Sequence, residues 1–141
     1  MSVPAYDAVE KGTELRPVTV KLRREDLVRY AGASGDFNRI HWSQRVAQEV
    51  GLPDVIAHGM LTMGAGARVV TEWVGDPARV VEYSVRFTRP VVVPDTDEGV
   101  AVTFGGKVAD KLDDNLVRVD LTALAGGDKV FGAARAVVRL D

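Results

Sequence analysis

The chain has 141 residues, 18 basic and 20 acidic, with no cysteine and a formal net charge of −2. That length is enough for one core, and a single domain over residues 1–141 is expected, small enough to gain from a partner. The near-balanced charge offers no positive field for nucleic acid or an anionic membrane, and the missing cysteines exclude a disulfide framework or a thiolate site. No stretch approaches the roughly 20 apolar residues of a membrane span, and Met1-Ser2-Val3-Pro4 begins no apolar signal core, so a cytoplasmic protein is expected.

In chain order, Leu15 to Leu22 alternates as a first strand, with Val18, Val20 and Leu22 on one side. Arg23 to Tyr30 follows as a helix, because Leu27 and Tyr30 share a face and Glu25 and Asp26 suit a first turn. Ser43 caps a short helix through Val50, which Gly51 and Pro53 end. Gly59 to Val74 is uncharged from Met60 to Ala67 and apolar on most sides, which predicts a buried helix wrapped by other structure. Gly64 and Gly66 each cost about 1 kcal/mol there relative to alanine, so tight packing is expected to require them.

The second half reads as four strands. Val81, Tyr83, Val85 and Phe87 alternate with polar residues, predicting a strand buried on one face, and Pro90 and Pro94 favour a bend or an edge near Val91 to Val93. Val100 to Val108, Leu116 to Leu124 and Val130 to Leu140 follow, joined by turns at Asp113-Asp114-Asn115 and Gly126-Gly127-Asp128. An α+β arrangement satisfies this order: one antiparallel sheet of about five strands curled around one long central helix, the hot-dog fold.

Both histidines of the chain, His41 and His58, sit beside candidate chemistry. Asp36 and His41 are five residues apart; a straight helix would rotate one from the other by roughly 140°, and a strand would put them on opposite faces. The segment must therefore turn, helped by Gly35 and by the backbone-bonding side chains of Asp36 and Asn38, and the turn can aim both groups at one point.

The run Tyr30-Ala-x-x-Ser34-Gly35-Asp36-x-Asn38-x-x-His41, with Ala47 beyond it, resembles the hydratase-2 signature of MaoC-like enoyl hydratases and dehydratases. Ala57-His58-Gly59-Met60 resembles that family's second landmark, at the start of its central helix. From about Leu15 onward, Gly59-Met-Leu-Thr-Met-Gly64, Trp73-Val-Gly-Asp-Pro77 and Glu82-Tyr-Ser-Val-Arg-Phe87 are similar to the catalytic B subunits of the (3R)-hydroxyacyl-ACP dehydratases of mycolic-type fatty acid elongation. Arg39 departs from the family's proline at that place, which removes a stiffening ring and no chemical group.

The resemblance implies reversible addition of water to a trans-2-enoyl thioester, giving a (3R)-3-hydroxyacyl thioester, without a cofactor or a metal. Asp36 and His41 would transfer the protons, their division of labour left open. Gly59 would bind substrate, offering its backbone N–H at a helix start to the thioester oxyanion. Asn38 would hold the loop or position water. Because acyl carrier protein and coenzyme A present the same phosphopantetheine thioester, the motif suits both carriers. Dimerisation is expected from an exposed sheet edge, and the family leans toward a sister subunit as partner.

Three other readings are weaker. Some hot-dog subunits serve only binding or stability, but such a subunit would be expected to lack the Asp and the His. A hot-dog thioesterase uses a carboxylate without this Asp-x-Asn-x-x-His pairing. A metal site from Asp36, His41 and His58 has no established ligand spacing. His58 is read as structural, capping the helix or packing beside the site, and Arg39 and Arg68 as solvated surface.

Overall fold

The computed structural model describes residues 2–141; Met1, the start of the N-terminal stretch read above, lies outside them. Its elements in order are β1 (Glu14–Leu22), α1 (Arg24–Ser34), α2 (Gln44–Glu49), α3 (Gly59–Val74), β2 (Val80–Phe87), β3 (Val100–Lys111), β4 (Leu116–Ala125), β5 (Asp128–Lys129) and β6 (Phe131–Arg139). The sheet is antiparallel in the order β1-β3-β4-β6-β2, with two-residue β5 added to β4, and α3 lies against it. This is the expected α+β hot-dog arrangement, with six strands when the short β5 is counted.

Local chemistry explains most boundaries. The Asp26 carboxylate accepts from the Arg23 N–H at 2.8 Å to start α1, and the helix continues past Tyr30 to Ser34, where left-handed Gly35 (φ 77°) ends it. Ser43 accepts from the Val46 N–H at 3.3 Å and starts α2 as expected. Gly126 and Gly127 both have positive φ, the two-residue turn that tightly joins antiparallel strands.

The core lies between α3 and the sheet, where Thr62, Gly66, Val69, Val70 and Val74 are buried on one helix face. A methyl group at Gly66 would lie 3.0 Å from Phe131 and 3.1 Å from Phe104, so even alanine there would press on two buried rings, in keeping with the tight packing predicted. Two expectations need correction. The sheet covers only one side of α3: Met60 is 65% exposed, and a methyl at Gly64 would meet nothing within 4 Å. Strand β2 is an edge strand with register shifts between Val80 and Glu82 and between Val85 and Phe87, so the predicted alternation holds only from Glu82 to Arg86, and Val81 and Phe87 are exposed.

The proline-flanked stretch after β2 forms a second, smaller pairing. The Ala57 N–H donates to Val91 O at 2.8 Å and the Val93 N–H to Val55 O at 2.9 Å, around an isolated bridge between Ile56 and Val92. Arg24 on α1 pins this pair, donating from Nε to Val93 O at 2.6 Å and meeting the Asp54 carboxylate at 2.8 Å. The chain therefore reaches α3 from a braced segment, and the start of that helix has a fixed place beside the Asp36 loop.

Candidate active site

The Asp36–His41 segment is built by its own short side chains. Ser34 Oγ accepts from the Asp36 N–H at 3.2 Å, Asp36 Oδ1 from the Asn38 N–H at 3.1 Å, and Asn38 Oδ1 from the Ile40 N–H at 3.2 Å. These bonds turn the chain out of α1 and into one 3-10 turn, Arg39–His41, at whose end the His41 ring enters the interior. His41 is 7% exposed, while the Asp36 side chain is 51% exposed.

The turn brings the predicted pair together: His41 Nε2 and Asp36 Oδ2 are 4.0 Å apart. His41 Nδ1 lies 2.7 Å from Ile56 O, and because a carbonyl can only accept, Nδ1 carries the hydrogen. A neutral His41 therefore presents its Nε2 lone pair toward Asp36. The two oxygens of Asp36 have separate tasks, one holding the turn and one facing the imidazole.

His58 immediately precedes α3 and is 1% exposed. Its side chain caps no helix N–H; it packs beside the pair, its ring stacked on His41 at 3.8 Å and 22°, with Tyr30 edge-on at 4.7 Å. Its Nε2–H donates to the backbone carbonyl of Asp36 at 3.1 Å, which leaves Nδ1 buried without a hydrogen-bond partner among the described residues. Burial, and secondarily the nearby His41, holds the His58 pKa below its ordinary 6.5 despite the opposing pull of Asp36.

A cavity of about 400 Å³ adjoins His41, with Gly59, Thr62, Phe87, Arg89 and Val130 also in its wall. Gly59 is the first residue of α3, and the first intrahelical backbone bond there is made by Thr62, to His58 O, so the N–H groups ahead of it lack helical acceptors. Asp36 and Asn38 stand outside this wall, and the Asn38 side-chain oxygen is committed to the turn.

Single ligand atoms of Asp36, His41 and His58 all lie within 4.8 Å of one another. Their orientation is poor for an ion. Imidazoles bind metals in the ring plane, and two rings stacked face to face aim their in-plane lone pairs side by side instead of at one centre. His41 Nδ1 and His58 Nε2 are also engaged with carbonyl oxygens.

A turn-borne carboxylate and imidazole, beside a helix start at the edge of a hot-dog sheet, make a candidate acid–base site. Residues 7–125 match the MaoC like domain, and the chain belongs to that family. It is 42% identical over 82 residues to a 3-hydroxyacyl-thioester dehydratase of Mycobacterium tuberculosis, an alignment covering 58% of this chain and 26% of that protein. It is 35% identical over 91 residues to an (R)-specific enoyl-CoA hydratase of Rhodospirillum rubrum, covering 64% of this chain and 62% of the relative. A solved MaoC-like dehydratase superposes with a TM-score of 0.94 at 45% identity, over 99% of this chain and 43% of that one. The chain thus spans about a quarter of the mycobacterial relative and under half of the solved one.

Proposed function

We propose that the protein is a hydro-lyase that interconverts trans-2-enoyl and (3R)-3-hydroxyacyl thioesters in fatty acid metabolism. The observation that carries this reading is the 4.0 Å gap between Asp36 Oδ2 and His41 Nε2. With the carboxylate ionised and the imidazole neutral, both atoms are acceptors. An oxygen about 2.8 Å from each would see them at an angle of about 90°, near that between the two O–H bonds of water.

In the hydration direction, one of the two bases takes a proton as the water oxygen bonds to C3. The C2–C3 electron pair moves toward the thioester carbonyl, and the proton is delivered to C2. Dehydration runs the same steps backward, with the 3-hydroxyl leaving as water. The N–H at Gly59 stabilises the negative charge on the thioester oxygen, from a helix end whose dipole favours it. Asn38 serves by holding the turn that carries Asp36. The two relatives described above, a 3-hydroxyacyl-thioester dehydratase and an (R)-specific enoyl-CoA hydratase, are named for this chemistry, which supports the reading.

The working unit is a dimer, with a sister hot-dog subunit favoured as the partner. Strand β2 ends the sheet with an open edge, and the uncovered side of α3 presents Met60 and Gly64. Acyl carrier protein or coenzyme A delivers the thioester, and no helix among the described residues is long and apolar enough to cross a membrane.

The test is turnover of crotonyl and longer enoyl thioesters on both carriers, followed by loss of their ultraviolet absorbance, with and without a candidate sister subunit. Turnover that disappears in Asp36→Asn and in His41→Ala supports the reading. No turnover under any of these conditions would leave an acyl-thioester-binding subunit as the better description. A monomeric mass at micromolar concentration would overturn the dimer.

A further inference from the structure

We infer that His58 is the positioning residue of the acid–base pair, fixing Asp36 through its backbone carbonyl and the His41 ring through its face. The inference rests on the hydro-lyase reading and assigns work to a side chain that takes no proton in it. His58 does not line the cavity, so it acts through its two neighbours.

Three contacts define the role. The Nε2–H bond to Asp36 O, 3.1 Å long, ties the loop to the residue just before α3, across 22 positions of sequence. Because Asp36 projects from that same peptide unit, the bond sets where its carboxylate begins. The stacked contact at 3.8 Å closes one face of His41, while the Nδ1 bond to Ile56 O holds its edge. Together these two restraints prevent the ring from tilting away from Oδ2. Tyr30, edge-on to His58 at 4.7 Å, backs the stack from α1 and accounts for the aromatic residue that opens the sequence motif.

The arrangement also requires His58 to remain uncharged. A proton added at Nδ1 would create a buried donor with no acceptor, facing His41 across a stacked contact. The titratable groups against the ring are Tyr30 from α1, Asp36 from the loop and His41 from the 3-10 turn. His41 can therefore gain and lose its proton beside a neutral platform, whereas a second imidazolium would repel it.

The variants His58→Gln, His58→Phe and His58→Ala separate the two restraints. Glutamine keeps a donor near the Nε2 position, phenylalanine keeps the stacked face, and alanine keeps neither. The expected result is a fall in kcat of about 10-fold for the first two and on the order of 10²-fold for the third, as for ångström-scale misplacement of reacting groups. KM should stay within about twofold, since His58 touches no substrate in this reading. A packing role would lower thermal stability and leave the kcat of folded enzyme unchanged, and kcat within twofold of the parent in all three folded variants overturns the inference.

Imidazole ¹⁵N spectra of the unmutated protein give a second test that does not depend on the variants folding. They should show the hydrogen of His58 on Nε2 and a bare Nδ1 from pH 6 to 8. A hydrogen on Nδ1 overturns the inference. If the parent protein instead turns over no enoyl thioester, the hydro-lyase reading fails, and the same spectra still decide whether His58 holds the pair.

Discussion

Replacing Asp36 with asparagine is the most direct probe of the proposed chemistry, because the two oxygens of this carboxylate can be perturbed separately. Oδ1 accepts from the Asn38 N–H, and the asparagine carbonyl can keep that bond. The amide nitrogen then falls at the place of Oδ2, so the acceptor 4.0 Å from His41 Nε2 becomes a donor while the turn persists. Removing one general acid–base group costs about 10²- to 10⁴-fold, or about 2.7–5.4 kcal/mol of barrier at 1.36 kcal/mol per decade. Stability should change little, by about 0.5 kcal/mol, because the side chain is 51% exposed. That corresponds to about 2 °C in thermal midpoint for a domain of this size. Initial rates on an enoyl thioester, paired with a melting curve, test both halves. A variant that retains kcat within threefold, or that loses activity only in proportion to its folding, would refute the reasoning.

Other consequences are independent of that assay. Burial holds the His58 pKa below 6.5, so as the pH falls through that value the unfolded chain binds a proton that the native protein resists. This contribution to stability is full above about pH 7.5 and shrinks as the solution becomes more acidic. The thermal midpoint should therefore fall more steeply between pH 8 and 5.5 in the parent than in His58→Phe; equal slopes would contradict it. Gly99→Ala should lose more than about 2 kcal/mol in a denaturant titration, because its φ is +62° and a methyl there would lie 2.0 Å from Leu22 O. Arg24→Met should lose about 1–3 kcal/mol, since it leaves Asp54 and Val93 O without their partner in a half-buried place.

The sequence was most readable where chemistry and geometry are local. The five-position step from Asp36 to His41 requires a turn, and the structure builds that turn from Ser34, Asp36 and Asn38 in successive side-chain bonds. Gly66 followed from the cost of glycine in an apolar helix, although identifying Phe104 and Phe131 as the reason requires the packed sheet. The same argument failed at Gly64, about 200° round the helix from Gly66 and so on nearly the opposite face, because an apolar sequence does not reveal which side of a helix its own chain will cover. Strand β2 departed from its predicted pattern only at its ends, where two register shifts belong to an edge pairing that alternation alone does not encode. His58, 17 residues from His41, reaches it only because Ile56 is bridged to Val92 while the Ala57 N–H donates to Val91 O and Val55 O accepts from the Val93 N–H, a tertiary pairing invisible in either motif.

The turn bearing Asp36 satisfies its backbone with its own side chains, while Phe87 and Val130 in the cavity wall come from the far half of the chain. Half of the cavity wall is thus supplied by a stretch that carries none of the groups proposed to move protons. Under the proposed chemistry, substitutions at Phe87 or Val130 can reshape the container for a longer or shorter acyl tail without touching Asp36, His41 or the side chains that build their turn.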